Sequence, residues 1–200
     1  YEVLRIYRGQ PFMPDEHLER LRQSLRKVAI NCDVDRLTQR MDDTLRHSEV
    51  AGGLIYMQVT RGVAPRKHRF PSDDVTPNEL IFVEPFTEDP YAAYRATGSD
   101  TVTVPDMRWK RCDIKSVNLL ANCLAAQTAH EHGCIEALLV DADGRITEGS
   151  HTSVFGVKDG AILTSPLSPS ILPGITRGLV TRLAARCELP IRENSFAAAE

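Results

Sequence analysis

No stretch of this sequence approaches the roughly 20 consecutive apolar residues that a bilayer-spanning helix needs, no surplus of basic residues builds up, and no C-x-x-C pair occurs. Each absence excludes a class of function. The formal net charge is −3, with acids and bases mixed along the chain, so the basic stripe that nucleic-acid phosphates or anionic lipids require is missing and neither partner is expected. The five cysteines (Cys32, Cys112, Cys123, Cys134 and Cys187) are odd in number and widely spaced. They fit reduced thiols better than a disulfide framework or a zinc site, which points to the cytoplasm. His130 and His132 stand two residues apart on an expected helix and so face different directions; no metal site is read there. No internal repeat or low-complexity tract appears. The opening Tyr1-Glu2-Val3-Leu4-Arg5 reads as an amphipathic strand and not as a signal peptide. Because the chain begins directly inside a strand and closes weakly on Ala197-Ala198-Ala199-Glu200, segments are expected to be missing at both ends.

What is present is ordinary globular material, 200 residues of which 42% are hydrophobic and 26% charged, enough for one large core or two small ones. Tyr1 to Tyr7 alternates as a half-buried strand, and Pro14-Asp15 starts a helix with Leu18, Leu21, Leu25 and Val28 on one face. A second helix follows, with Val34, Leu37, Met41 and Leu45 as its apolar stripe. Leu54 to Thr60 and Glu79 to Glu84 read as strands. Between them Arg61 to Pro77 is polar and marked by Pro65, Pro71 and Pro77, long for a hairpin connection and of the kind that carries function.

Pro85, Pro90 and Gly98 punctuate the next stretch, which sets a linker at residues 87–97 between an N-terminal α/β domain, 1–86, and a second domain, 98–200. The second half offers a strand over Thr101 to Val104, a helix from about Ser116 to His132 and a strand over Ile135 to Val140. A turn at Asp141-Ala142-Asp143-Gly144, strands broken at Lys158-Asp159-Gly160, and a helix from about Gly174 to Cys187 complete it.

Lys115 is the residue of most chemical interest. In Arg111-Cys112-Asp113-Ile114-Lys115-Ser116-Val117-Asn118, Ser116 is a plausible N-cap and Val117, Leu120 and Leu124 begin an apolar helical face. An amine held between apolar neighbours, near the positive end of a helix, is pushed toward its neutral, nucleophilic form. Taken alone, the octapeptide fits a surface lysine with a buried stem better. The downstream pattern decides between them. Glu148-Gly149-Ser150-His151-Thr152-Ser153-Val154-Phe155 is followed six residues later by Ile162-Leu163-Thr164 and seven residues after that by Leu172-Pro173-Gly174-Ile175-Thr176-Arg177. With Asp113-Ile114-Lys115-Ser116 about thirty residues upstream, this spacing resembles the signature of the class IV, or fold type IV, aminotransferases, and is most similar to the D-amino-acid (D-alanine) branch.

The resemblance implies a two-domain α/β (α+β) fold, with a small N-terminal domain and a C-terminal pseudobarrel domain, and pyridoxal 5′-phosphate as cofactor. It implies that Lys115 carries the cofactor as a Schiff base and moves the substrate proton, and that Glu148 binds the pyridine nitrogen. Ile175 and Thr176, at a helix start whose free N–H groups suit an anion, match the phosphate donors. Arg20 matches the arginine paired with the same phosphate, a task suited to a planar fork. Leu172 and the Ser150-His151-Thr152 run match further cofactor contacts. On the substrate side Tyr1 matches an active-site tyrosine, and Arg66 and His68 match an Arg-x-His pair that contacts the substrate carboxylate from a loop reaching into the neighbouring subunit. A homodimer follows from that loop.

The implied activity is ping-pong transamination through a Lys115 aldimine between a small D-amino acid, D-alanine or D-glutamate, and a 2-oxo acid, 2-oxoglutarate or pyruvate. Ser153 departs from the family's asparagine, and His151-Thr152 from the two serines common in the D-amino-acid branch. Rivals within the fold are a branched-chain L-amino-acid aminotransferase and an aminodeoxychorismate lyase. From a different class, a non-catalytic binding or interaction module remains.

Overall fold

A computed structural model describes every residue except 73, 87, 90, 199 and 200. Pro90, part of the punctuation that marked the linker, and the closing Ala199-Glu200 therefore lie outside the described residues. Two compact units emerge, Tyr1–Asp89 and Pro90–Glu200, both of mixed α/β structure.

In the first unit, strand β1 (Glu2–Tyr7) turns back into the short β2 (Gln10–Pro11). Arg8 and Gly9 make that turn with φ of 51° and 74°, the pair of left-handed residues whose twist matches a two-residue hairpin. Helix α1 (Pro14–Lys27) has proline in its first turn, Asp15 and Glu16 at its start and Arg26 and Lys27 at its end, each favourable to the helix dipole. Val28, expected on its apolar face, is the C-cap. In α2 (Val34–Ser48) the Asp33 side chain caps the start by accepting from Arg36 N at 3.0 Å, as short acceptors do. Two long strands follow, β3 (Gly52–Thr60) and β4 (Asn78–Pro85), and the antiparallel order is β2-β1-β3-β4.

Alternation divides this sheet into two faces. One carries Leu4, Ile6, Ile55 and Met57, which bury with Leu18, Leu21 and Leu25 of α1 and Leu37, Met41 and Leu45 of α2. Each such side chain contributes about 2 kcal/mol of burial. Glu2 shares the buried face at 0% exposure. Arg20 of α1 meets it with Nε on Oε1 at 2.8 Å and Nη2 on Oε2 at 2.7 Å, and His17 Nδ1 lies 2.7 Å from Oε2. The opposite face carries a stack of Tyr1 on Tyr56 (5.6 Å) and Tyr56 on Phe82 (4.9 Å).

In the second unit a short helix, α3 (Tyr94–Thr97), falls inside the stretch read as linker. Strand β5 (Thr101–Pro105) is followed by α4 (Leu120–Glu131), β6 (Glu136–Val140) and β7 (Ile146–Gly149). β5 and β6 are parallel across the α4 crossover and β7 is antiparallel to β6. Ala125 and Ala129 of α4 pack on Ala137 and Leu139. A second sheet joins β8 (Gly156–Lys158), β9 (Ala161–Thr164) and, after α5 (Ile175–Arg186), the parallel β10 (Ile191–Glu193). Asp159-Gly160, with φ of 50° and 71°, makes the β8–β9 hairpin turn. Among the described residues no helix is long and apolar enough to cross a membrane.

Helix α4 corrects one expectation. It starts at Leu120, not at Ser116, and its N-cap Leu119 has no side-chain cap. Val117, Leu120 and Leu124, expected to be buried, are 59%, 72% and 62% exposed. Close packing of α4 on β6 selects the small alanines for the contact face, and the leucines point outward.

Burial works to raise the Glu2 pKa, but the hydrogen bonds and charges of Arg20 and His17 outweigh it and hold the carboxyl below its ordinary value. A depressed carboxylate contributes stability that is complete above its unfolded pKa and is lost as pH falls through the folded one. Glu2→Gln is expected to lower stability at pH 7 by about 3 kcal/mol, the loss for breaking one side of a buried pair. The gap from wild type should narrow at a pH well below the ordinary glutamate pKa of about 4.3, where the depressed wild-type carboxyl also protonates. Urea unfolding followed at both pH values checks this; a gap independent of pH rules it out.

Candidate active site

Glu148 ends the alternating run of β7 with its side chain turned inward, at 6% exposure. Its Oε2 accepts from Arg108 Nη1 at 2.5 Å and from the backbone N–H of Leu172 at 3.1 Å. Arg108 is itself fixed, with Nε and Nη2 on the two oxygens of Asp106 at 2.9 and 2.8 Å and Nη2 also on the Ser170 carbonyl at 3.1 Å. Thr147 Oγ1 donates to Asp106 at 2.7 Å. Burial alone would lower the Arg108 pKa, but Asp106 and Glu148 outweigh it and keep the guanidinium charged. Asp106 is held below the usual carboxylate range, the Arg108 and Thr147 hydrogen bonds overcoming its burial. At Glu148 the balance reverses: burial wins over Arg108 and pushes the carboxyl up. Among the described residues no donor reaches Oε1, so this oxygen is open to an N–H donor, and a cationic one would offset the burial.

The residues after Glu148 are organised by a carboxylate that sequence reading passed over. Glu136, 8% exposed at the start of β6, accepts from Ser150 Oγ at 2.5 Å, Ser150 N at 3.0 Å, Thr152 Oγ1 at 2.7 Å and Ala137 N at 2.8 Å. His151 Nδ1 lies 2.9 Å from Ser150 Oγ. The Ser150 and Thr152 hydrogen bonds overcome burial and hold Glu136 below its ordinary pKa. Gly149 is required here, because a Cβ would run into Thr152 Oγ1 and come within 2.8 Å of Glu136 Oε2. Asn122 of α4 donates to the Ser150 carbonyl at 2.7 Å. Gly174 lies so near Ser153 that a Cβ would stand 2.6 Å from the Ser153 hydroxyl.

Helix α5 begins at Ile175 behind Gly174, with no side-chain cap on its first turn. Its N-terminal N–H groups and dipole suit an anion. Thr176 is exposed and Ile175 half-buried there. Lys115, half-buried, lies in an irregular segment and not at a helix start. Ser116 N bonds to Ile114 O at 2.9 Å, a tight turn centred on the lysine. The buried Ile114 and the Asp113 N–H bond to Pro169 O (3.2 Å) hold this segment from the other side.

The remaining sequence-assigned residues lie in the first unit. Arg20 is buried on Glu2, Tyr1 is stacked on Tyr56, and Arg66 and His68 are exposed in the loop between β3 and β4. Among the described residues no three His, Cys, Asp or Glu side chains gather to hold a metal ion.

The family model of amino-transferase class IV matches residues 1–200. This chain belongs to the class IV aminotransferases. It is 37% identical over 198 residues to a D-alanine aminotransferase of Staphylococcus aureus, covering 98% of this chain and 69% of that protein. A D-alanine aminotransferase of Bacillus licheniformis is likewise 37% identical, over 98% of this chain and 68% of its own length. Among solved structures, a branched-chain amino acid aminotransferase of Escherichia coli superposes with a TM-score of 0.85 at 26% identity, over 98% of this chain and 68% of that one. A 4-amino-4-deoxychorismate lyase of Pseudomonas aeruginosa shares the fold, with a TM-score of 0.85 at 22% identity, over 99% and 73%. The fold is therefore fold type IV.

The cofactor of a class IV aminotransferase is pyridoxal 5′-phosphate, and the second unit fits it. A buried carboxylate keeps one oxygen open to a ring N–H, and an uncapped helix start provides anion-binding N–H groups. Arg108 and Glu136 escaped sequence reading because each acts across forty and fourteen positions respectively. The available signal was Asp106-x-Arg108, a charged pair directly after the strand Thr101–Pro105. Glu136→Ala in this class IV aminotransferase removes the acceptor for two hydroxyls and two N–H groups, and should reduce stability by about 3 kcal/mol. A urea denaturation midpoint unchanged from wild type would show that the network contributes nothing.

Proposed function

We propose that the chain transfers the amino group of a small D-amino acid, D-alanine or D-glutamate, to a 2-oxo acid, 2-oxoglutarate or pyruvate, in a ping-pong cycle. The observation that carries this reading is the 37% identity to D-alanine aminotransferases across 98% of the chain. The Arg66-x-His68 loop supports it, offering a bidentate fork and a second donor to a carboxylate.

When bound, the cofactor supplies a sink for the electron pair released at the substrate Cα. The chain supplies the rest. Lys115 Nζ would hold the cofactor covalently at rest and, once the substrate amine has displaced it, the freed amine would take the proton from the substrate Cα and deliver it to the cofactor carbon that Nζ had held. Glu148, fixed by Arg108 and Leu172 N, keeps the ring nitrogen protonated. The N–H of Ile175 and the N–H and hydroxyl of Thr176 hold the phosphate, with Arg20 as its cationic partner. Leu172 and Ser150, His151 and Thr152 bound the cofactor. Tyr1 faces the substrate, and Arg66 and His68 hold its carboxylate.

Residues 1–86 and 98–200 are assigned to two domains joined by 87–97. The subunits form a homodimer in which the Arg66 loop serves the neighbouring site. Five free thiols support a reducing, cytoplasmic setting. A branched-chain L-amino-acid substrate is the second reading, favoured by the Escherichia coli structure at 26% identity. Turnover of D-alanine and L-leucine measured side by side separates the two.

Purified protein should absorb in the visible once given the cofactor, and borohydride should fix a pyridoxyl group on the peptide containing Lys115. A colourless, unmodified protein defeats the reading. Arg66→Ala is expected to raise the KM for D-alanine at least tenfold, about 1.4 kcal/mol of lost binding, with the visible absorbance retained.

A further inference from the structure

Arg61 is the first residue past β3, at the base of the loop that carries Arg66 and His68. Its Nη1 donates to the Ala29 carbonyl at 2.7 Å and its Nη2 to the Val28 carbonyl, so the fork grips the electronegative C-terminal end of α1. The flat face of the same guanidinium lies 3.6 Å from the centroid of the Phe70 ring, a cation–π contact. One side chain therefore ties the outgoing end of the arc to the helix and to the returning end at Phe70. The next residue tightens the pinch: Gly62 has φ of 98°, and a Cβ there would run into Thr76 O and come within 2.7 Å of Val75 Cγ1. Behind the anchor is a cavity of about 550 Å³, lined among others by Ile30, Arg61, Pro71 and Val75.

Between the two fixed ends, residues 63 to 69 are all exposed. The tip has no core contact to set its place, and Arg66, Lys67, His68 and Arg69 crowd basic groups that resist staying together. Its direction is set at its ends. We propose that Arg61 is the positioning residue that aims Arg66 and His68 at the substrate carboxylate, through the α1 carbonyls on one side and Phe70 on the other. This rests on the reading of Arg66 and His68 as the carboxylate clamp. A lysine at position 61 could hold one carbonyl but not grip two while stacking on a ring.

The experiment uses the full chain loaded with pyridoxal phosphate. Arg61→Gln and Phe70→Leu are compared with Arg66→Ala by D-alanine kinetics and by the rate of trypsin cleavage after Arg66, Lys67 and Arg69. Phe70, 60% exposed, can be changed with little risk to folding. Both anchor variants are expected to raise KM about tenfold with kcat within about twofold, to keep the visible absorbance, and to be cut severalfold faster; Arg61→Lys should recover only part of the KM. Unchanged KM in both anchor variants, while Arg66→Ala raises it, overturns the inference and leaves the clamp standing. A matching fall in kcat with loss of absorbance marks a merely structural role and also overturns it. If Arg66→Ala itself leaves KM unchanged, the clamp reading fails and the role of Arg61 toward substrate fails with it, whatever the trypsin rates.

Discussion

A buried carboxylate is tolerated only where donors meet it, and both units of this protein are arranged around that constraint. Glu148 sits near the end of a strand with Arg108 against one oxygen, and Asp106 in turn fixes Arg108 from the other side. Remove Arg108 and two carboxylates are left without their counter-charge in a poor solvent for charge. The same rule shapes the first unit, where Glu2 is fully buried and is answered by both Arg20 and His17. These pairs are specific because guanidinium and carboxylate meet edge to edge.

The balance at Glu148 differs from that at the other buried carboxylates. Glu2, Asp106 and Glu136 all have enough donors to hold their charge below the ordinary range. Glu148 does not, and burial prevails. A site that lacks a donor in this way is ready for a cationic N–H, and the protonated pyridine ring of the cofactor is such a group. Pre-organisation here means leaving one bond unmade while every neighbour is fixed.

Much of the architecture was legible in the sequence because it obeys local rules. The stripes Leu18, Leu21, Leu25 and Leu37, Met41, Leu45 lie on the buried faces of α1 and α2, and Asp159-Gly160 makes the turn that its residue types dictate. Helix α4 misled because apolar spacing was taken to mark the core, whereas the contact with β6 selects alanines by size and leaves Leu120 and Leu124 outside. The spacing of Glu148 to Leu172 was readable along the chain, and the structure brings those two into hydrogen-bond contact. Arg108, Glu136 and Arg61 were not legible. Each looks like an ordinary charged residue until the fold brings its partner across, and no local pattern encodes that encounter.

The loop between β3 and β4 is a span with two fixed piers and an unsupported crown. Arg61, Gly62 and Phe70 hold its two ends, while residues 63 to 69 between them face solvent. Exposed charge and architecture are thereby separated within one loop. Such a segment can exchange its crown for one of different charge or size while the sheet and the helices stay as they are, so the surface it offers can be rewritten by changes confined to a single short arc.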